Sequence, residues 1–121
     1  MERLNNQITF FVPVAPESLN VTSCQHWAVR YKARNRWRNL IFEQWMINKK
    51  YVFTNPVKVL YILSFPQRRV RDKDNYIGGT KAITDALKKT FITRDDAKWL
   101  KNIDVAFIKG PLGVRVLIEE D

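Results

Sequence analysis

Apolar and polar residues alternate from Gln7 to Val14, with Ile8, Phe10, Val12 and Val14 set against Thr9, Phe11 and Pro13. This two-residue period predicts a half-buried first strand. Residues Ala15 to Cys24 carry Pro16, Ser18, Asn20, Thr22 and Ser23, side chains that favour turns over regular structure, and predict a polar loop. From Trp27 to about Lys49 the period changes: Trp37, Leu40, Ile41, Trp45 and Ile47 recur at helical spacing and predict a long helix. Pro56 to Phe65 is rich in Val, Tyr, Ile and Leu and reads as a central strand, ended by Pro66. Ile83, Ala86, Leu87, Thr90 and Phe91 mark a second, amphipathic helix, with Lys81, Thr84, Asp85, Lys88 and Lys89 largely on its other faces. That helix begins either at Asn75 or after Gly78-Gly79. Thr93 to Asp96 is a polar break, and Ile103 to Ile108 and Val114 to Ile118 read as two strands joined in a hairpin at Gly110-Pro111-Leu112-Gly113.

The resulting order of strand, helix, strand, helix, strand, strand predicts an α/β or α+β fold: a mixed sheet of about four strands with two main helices. With 121 residues, 45% of them apolar, the chain is long enough for one core and short for two, so residues 1–121 are expected to form a single compact domain. No internal repeat, low-complexity tract or linker interrupts it.

Charge narrows the partners. Lys and Arg number 21 against 12 Asp and Glu, a formal net charge of +9. Such an excess attracts polyanions, because each cation set against a phosphate releases condensed counterions, and nucleic acid is the leading partner. Arg30, Arg34 and Arg38, four apart on the long helix, are candidate contacts to a DNA backbone; a solvated helix face is the alternative. No apolar stretch is long enough to span a bilayer and no signal peptide or myristoylation signal precedes the first strand, so the interior of the cell, the cytoplasm, is the expected compartment and no membrane partner is expected. Cys24 and His26 are the only cysteine and the only histidine. They exclude an internal disulfide and a cysteine-based zinc site and read as a small thiol and a surface or capping imidazole.

The acids gather where the bases are densest. Arg68-Arg69-Val70-Arg71-Asp72-Lys73-Asp74-Asn75 follows the central strand, and Asp95-Asp96 follows the second helix. On an extended backbone Asp72 and Asp74 point the same way and can face one ion. Asp95 or Asp96 would complete the set from the far end of the helix. Hard carboxylate oxygens suit Mg²⁺, or Mn²⁺ in its place, which can position water and polarise a phosphodiester. Lys81 can neutralise charge on the phosphate, and Arg68, Arg69, Arg71 and Lys73 can hold the strand. Surface ion pairing of these side chains is the alternative. A calcium loop is excluded, because Tyr76 and Ile83 occupy its fifth and twelfth positions. No phosphate loop, nucleophile elbow or zinc-protease motif is present, and no organic cofactor is expected.

Arg69-Val70-Arg71-Asp72-Lys73-Asp74-Asn75, then Lys81-Ala82, Asp85-Ala86-Leu87 and Asp95-Asp96-Ala97, resembles the RusA-type Holliday junction resolvases over roughly residues 56 to 108. The resemblance implies a small homodimeric endonuclease of phage or prophage origin that nicks opposing strands of four-way junction DNA with Mg²⁺. It implies Asp72, Asp74 and Asp96 as metal ligands and Lys81 as the essential lysine. Ile77-Gly78-Gly79-Thr80 is a departure, about three residues longer than the family pattern, and it leaves the alignment of Lys81 open. Two-fold symmetry would place one site at each of two matching cuts. Trp27, Tyr31 and Tyr76 are candidates for stacking on unpaired bases, or else for the core. A binding module that does not cut, and a nuclease for other branched DNA, are the competing functions.

Overall fold

Seven of the nine residues from Val57 to Phe65 are apolar or aromatic, a composition that fits a strand paired on both sides. In the computed structural model, which describes residues 6–16, 27–67, 73–92 and 99–120, this segment is strand β2 of a four-stranded sheet. The elements are β1 (Gln7–Val12), α1 (Trp27–Ile47), β2 (Val57–Phe65), α2 (Lys73–Leu87), β3 (Leu100–Lys109) and β4 (Gly113–Glu120). The sheet order is β1-β4-β2-β3. β2 runs parallel to β3 and antiparallel to β4, and β1 is antiparallel to β4. The expected α+β class, with a mixed four-stranded sheet and two helices, is observed.

The register divides the sheet into two unlike faces. Phe10, Val116, Tyr61 and Val105 align across all four strands and all four are buried. The flanking rows Ile8-Ile118-Val59 and Val12-Val114-Leu63 are buried too. The opposite face carries Thr9-Leu117-Leu60-Asp104 and Phe11-Arg115-Ile62-Ala106, none of them buried. Alternation along β1 and through most of β2 and β4 produces this segregation, while on the edge strand β3 it breaks, Ile103 opposite Val59 being exposed. At one end of the sheet, Asn6 and Asn55 both donate to Glu120 Oε2, at 2.7 and 3.2 Å.

The expected hairpin is corrected. β3 and β4 are consecutive in sequence, but β2 lies between them. Neighbouring strands are about 4.8 Å apart, so the link must cross about 10 Å; four Cα steps from Lys109 to Gly113 reach about 13 Å when extended, enough to pass over the end of β2. Close packing at that crossing explains the two glycines. Gly110 N–H donates to Phe65 O at 2.9 Å, and a Cβ on Gly110 would lie 2.8 Å from Ser64 Oγ. A Cβ on Gly113 would lie 2.5 Å from Val12 O and would overlap the Phe11 ring. Arg115 covers that ring, 5.6 Å from its centroid.

Strand boundaries shift for local reasons. β1 ends at Val12 instead of Val14, because Pro13 has no N–H for the ladder and Val14 N–H turns back to Val12 O at 2.8 Å. β3 and β4 are longer at both ends than their apolar runs. β3 is an edge strand, and Asp104 Oδ1 accepts the Val105 N–H at 2.8 Å, placing a charge and a competing acceptor on the edge that discourages strand addition.

Two compact units interleave along the chain. The sheet unit comprises Met1–Ala15, Phe53–Val70 and Arg94–Asp121, and the helical unit Pro16–Val52 and Arg71–Thr93. In the helical unit α1 packs against α2. Trp37 and Ile41 of α1 and Ile83, Ala86 and Leu87 of α2 are buried, followed by Thr90 and Phe91, as the helical spacing predicts. Ile47, expected on the apolar stripe, is exposed. Thr84, expected on another face, is buried, because its hydroxyl donates to Thr80 O at 3.2 Å and needs no water. α2 starts at Lys73, ahead of both expected starts, with Gly78 and Gly79 inside it. Each glycine costs about 1 kcal/mol relative to alanine, a cost offset by the apolar face that follows.

α1 ends in a Schellman motif: Lys50 N–H donates to Trp45 O at 2.8 Å and Lys49 N–H to Met46 O at 3.0 Å. Lys49 and Lys50 have φ of 59° and 55°, the left-handed region where glycine is the usual occupant. Lys49→Gly is therefore expected to raise unfolding stability by about 0.5–1 kcal/mol in urea titration. In the same assay Gly113→Ala is expected to lower it by about 1–3 kcal/mol through overpacking, and Leu112→Ala at the neighbouring exposed position by no more than about 0.5 kcal/mol.

Candidate nucleic-acid interface

A helix beginning at Lys73 leaves its first N–H groups without intrahelical partners and a partial positive charge at that end, where carboxylates are favoured. Lys73 and Asp74 form this first turn. The extended backbone expected to align Asp72 with Asp74 therefore does not continue through Asp74, which is helical. Asp72 lies outside the described residues, as do Arg68, Arg69, Arg71, Asp95 and Asp96.

Helical geometry relates Asp74 to Lys81. Seven positions make close to two turns, so the two backbone positions lie on one side of α2, about 10 Å apart along its axis. Lys81 is exposed. The long stretch Ile77-Gly78-Gly79-Thr80 is helical throughout, so a rigid rod and not a loop separates the aspartate from the lysine. Lys88 stands two further turns on, about 21 Å from Asp74, and is half-buried, which leaves Lys81 as the nearer cation.

The second group of cations sits on α1. Arg34 and Arg38 are exposed, as expected; Arg30 lies in α1, with its side chain outside the described residues. Sequence spacing missed Lys32 and Arg36, which are exposed too. A four-residue spacing selects Arg30, Arg34 and Arg38 and skips Arg36, yet Arg34, Arg36 and Arg38 all face water around the buried Trp37. The solvent-facing arc of α1 is thus broad, and the run of alternating arginines was the available signal. Lys49 and Lys50 add two exposed cations at its end, while Glu43 is the single acid between Lys32 and Lys50. Of the stacking candidates, Tyr76 is half-buried, and the side chains of Trp27 and Tyr31 are outside the described residues.

The expected ligands Asp72, Asp74 and Asp96 form an all-oxygen set of the kind hard divalent cations prefer, and Asp74 comes from a rigid element. Among the described residues no three His, Cys, Asp or Glu side chains converge. On the sheet, a groove of about 450 Å³ is lined by Lys58, Leu60, Asp104, Leu117 and Glu119 among others; its charges are mixed, unlike the cationic surface of α1. Among the described residues no helix is long and apolar enough to cross a membrane. No protein-family model matches the chain, and no curated protein matches it.

If the α1 cations meet phosphates, each releases close to one counterion. Arg34→Ala and Arg38→Ala are each expected to lower the slope of log affinity against log salt by about 1, uniformly across DNA sequences, in fluorescence-anisotropy titrations.

Proposed function

We propose that this chain is a Mg²⁺-dependent endonuclease that resolves four-way DNA junctions by paired symmetric nicks inside a bacterial or phage-infected cell. The observation that carries the reading is the cationic run Arg68 to Lys73, with Asp72 within it, leading directly into a helix whose first turn holds Asp74 and whose same side holds Lys81. Acids enclosed by cations serve a phosphate poorly unless a metal ion stands between carboxylate and phosphate. Asp72, Asp74 and Asp96 would hold that ion. Bound Mg²⁺, with Mn²⁺ as a substitute, supplies an activated water and polarises the scissile phosphodiester. Lys81 would pair with a phosphate oxygen and offset the charge that builds in the transition state. Arg68, Arg69, Arg71 and Lys73, with Arg30, Arg34 and Arg38, would grip the flanking backbone without reading bases.

One chain offers one carboxylate group, and two matched cuts require two, so a two-fold homodimer follows from the reaction. A second reading, a module that binds branched DNA without cutting it, draws on the exposed arginines of α1, which need no metal to meet phosphates. Cleavage of a synthetic mobile four-way junction separates the two. Wild-type protein with Mg²⁺ is expected to place symmetric nicks. Asp72→Asn is expected to bind the junction as tightly or slightly more tightly and to cut at least a hundredfold more slowly. Cutting retained by Asp72→Asn sinks the assignment of that residue, and tight binding without cutting in any divalent metal favours the second reading.

A further inference from the structure

Three large apolar residues near the end of α1 face water: Phe42 is 48% exposed, Met46 47% and Ile47 65%. They fall off the buried stripe of Trp37 and Ile41. Arg34, Arg38, Phe42 and Met46 instead form a ridge at four-residue spacing, each step rising about 6 Å along the helix. The ridge begins in arginines, passes to an aromatic ring and a thioether, and runs out at Lys49 and Lys50.

The ring is held in place. Trp45 donates its indole N–H to Tyr51 O at 2.9 Å, which fixes the indole beside the helix end. Phe42 leans on that indole, centroids 5.7 Å apart and planes tilted by 58°. Its inner side rests on a fixed partner while about half of its surface stays open. Such a ring loses little freedom when a flat ligand stacks on it.

Charge selects the ligand. Between Lys32 and Lys50 the exposed side chains include six cations, Lys32, Arg34, Arg36, Arg38, Lys49 and Lys50, and one anion, Glu43. A surface of this kind suits a polyanion that also carries apolar flat groups. Intact duplex supplies the phosphates but keeps its bases stacked inside, whereas an unpaired strand offers both along its length. A membrane surface would favour an apolar stripe along the helix, and here the exposed apolar residues are confined to one end.

We propose that the ridge Arg34-Arg38-Phe42-Met46 is a binding site for unpaired DNA, with Arg34 and Arg38 on phosphates and Phe42 stacked on a base. The site rests on the nucleic-acid part of the function proposed above and not on cleavage. At a branched substrate it would take the bases opened at the crossover.

The test is fluorescence anisotropy of the full chain with a labelled 20-nucleotide oligo(dT), a duplex of equal length and a four-way junction carrying 2-aminopurine at the crossover. Phe42→Ala is expected to weaken oligo(dT) binding roughly tenfold, the scale of one base–aromatic stack, and duplex binding less than twofold. It is also expected to abolish a change in 2-aminopurine emission seen with wild type. Phe42→Leu, which keeps an apolar contact against Trp45, should lose the same stacking, and Phe42→Trp should retain it. Equal or absent losses on single strand and duplex overturn the stacking site while leaving the nuclease reading intact. Failure to bind any of the three DNAs, or selective binding to anionic phosphatidylserine vesicles, overturns both.

Discussion

Two-sided pairing of β2 is the constraint on which the sheet depends. Tyr61 lies at its centre, fully buried, aligned with Val116 on one side and Val105 on the other. Because β2 is parallel to β3, the chain between them needs a long connection, and that connection contains both the cationic run and α2. Because β2 lies between β3 and β4, the chain must pass over the C-terminal end of β2 in the few residues after Lys109, where a side chain at Gly113 would meet Val12 backbone and one at Gly110 would press on the Ser64 hydroxyl. In sequence, the cationic run from Arg68 to Lys73 follows closely on Phe65, the last residue of the most heavily paired strand.

Unbalanced charge lies on α1 and the turn after it, whereas in α2 Lys73 and Lys81 are matched by Asp74 and Asp85. On the open face of the sheet Lys58 and Arg115 are matched by Asp104 and Glu119, whereas α1 and the turn after it present six exposed cations against Glu43. The six cations less one anion there make up five of the nine net positive charges of the chain. This partition separates two kinds of surface, one of balanced charge over half-exposed Leu60, Ile62 and Leu117, the other suited to a phosphate backbone.

Much of the fold was legible in the residues because burial imposes a period. The alternation of Ile8, Phe10 and Val12 and the helical spacing of Ile83, Ala86 and Leu87 both identify the buried face. Strand order was not legible: Gly110-Pro111-Leu112-Gly113 is as compatible with a hairpin as with a crossing over β2, and only pairing partners distant in sequence decide between them. The start of α2 was hidden by Gly78-Gly79, whose low helix propensity is outweighed by the face that follows. Thr84 misled because its hydroxyl is satisfied within its own helix. For the candidate site, residue types and order pointed to metal and phosphate chemistry, while the helical state of Asp74 and its alignment with Lys81 came only with the structure. Phe42 and Met46 were passed over because they fall off the apolar stripe, and that displacement was itself the signal.

The central claim is that carboxylates around the start of α2 hold a divalent ion. Substoichiometric Mn²⁺ added to isotope-labelled protein in amide NMR tests it directly, since paramagnetic broadening falls off steeply with distance from the ion. The account predicts selective broadening of amides from Lys73 to about Tyr76, competed away by Mg²⁺ and lost in Asp74→Asn. Broadening centred on Asp104 and Glu119 of the sheet, or none at α2, would contradict it.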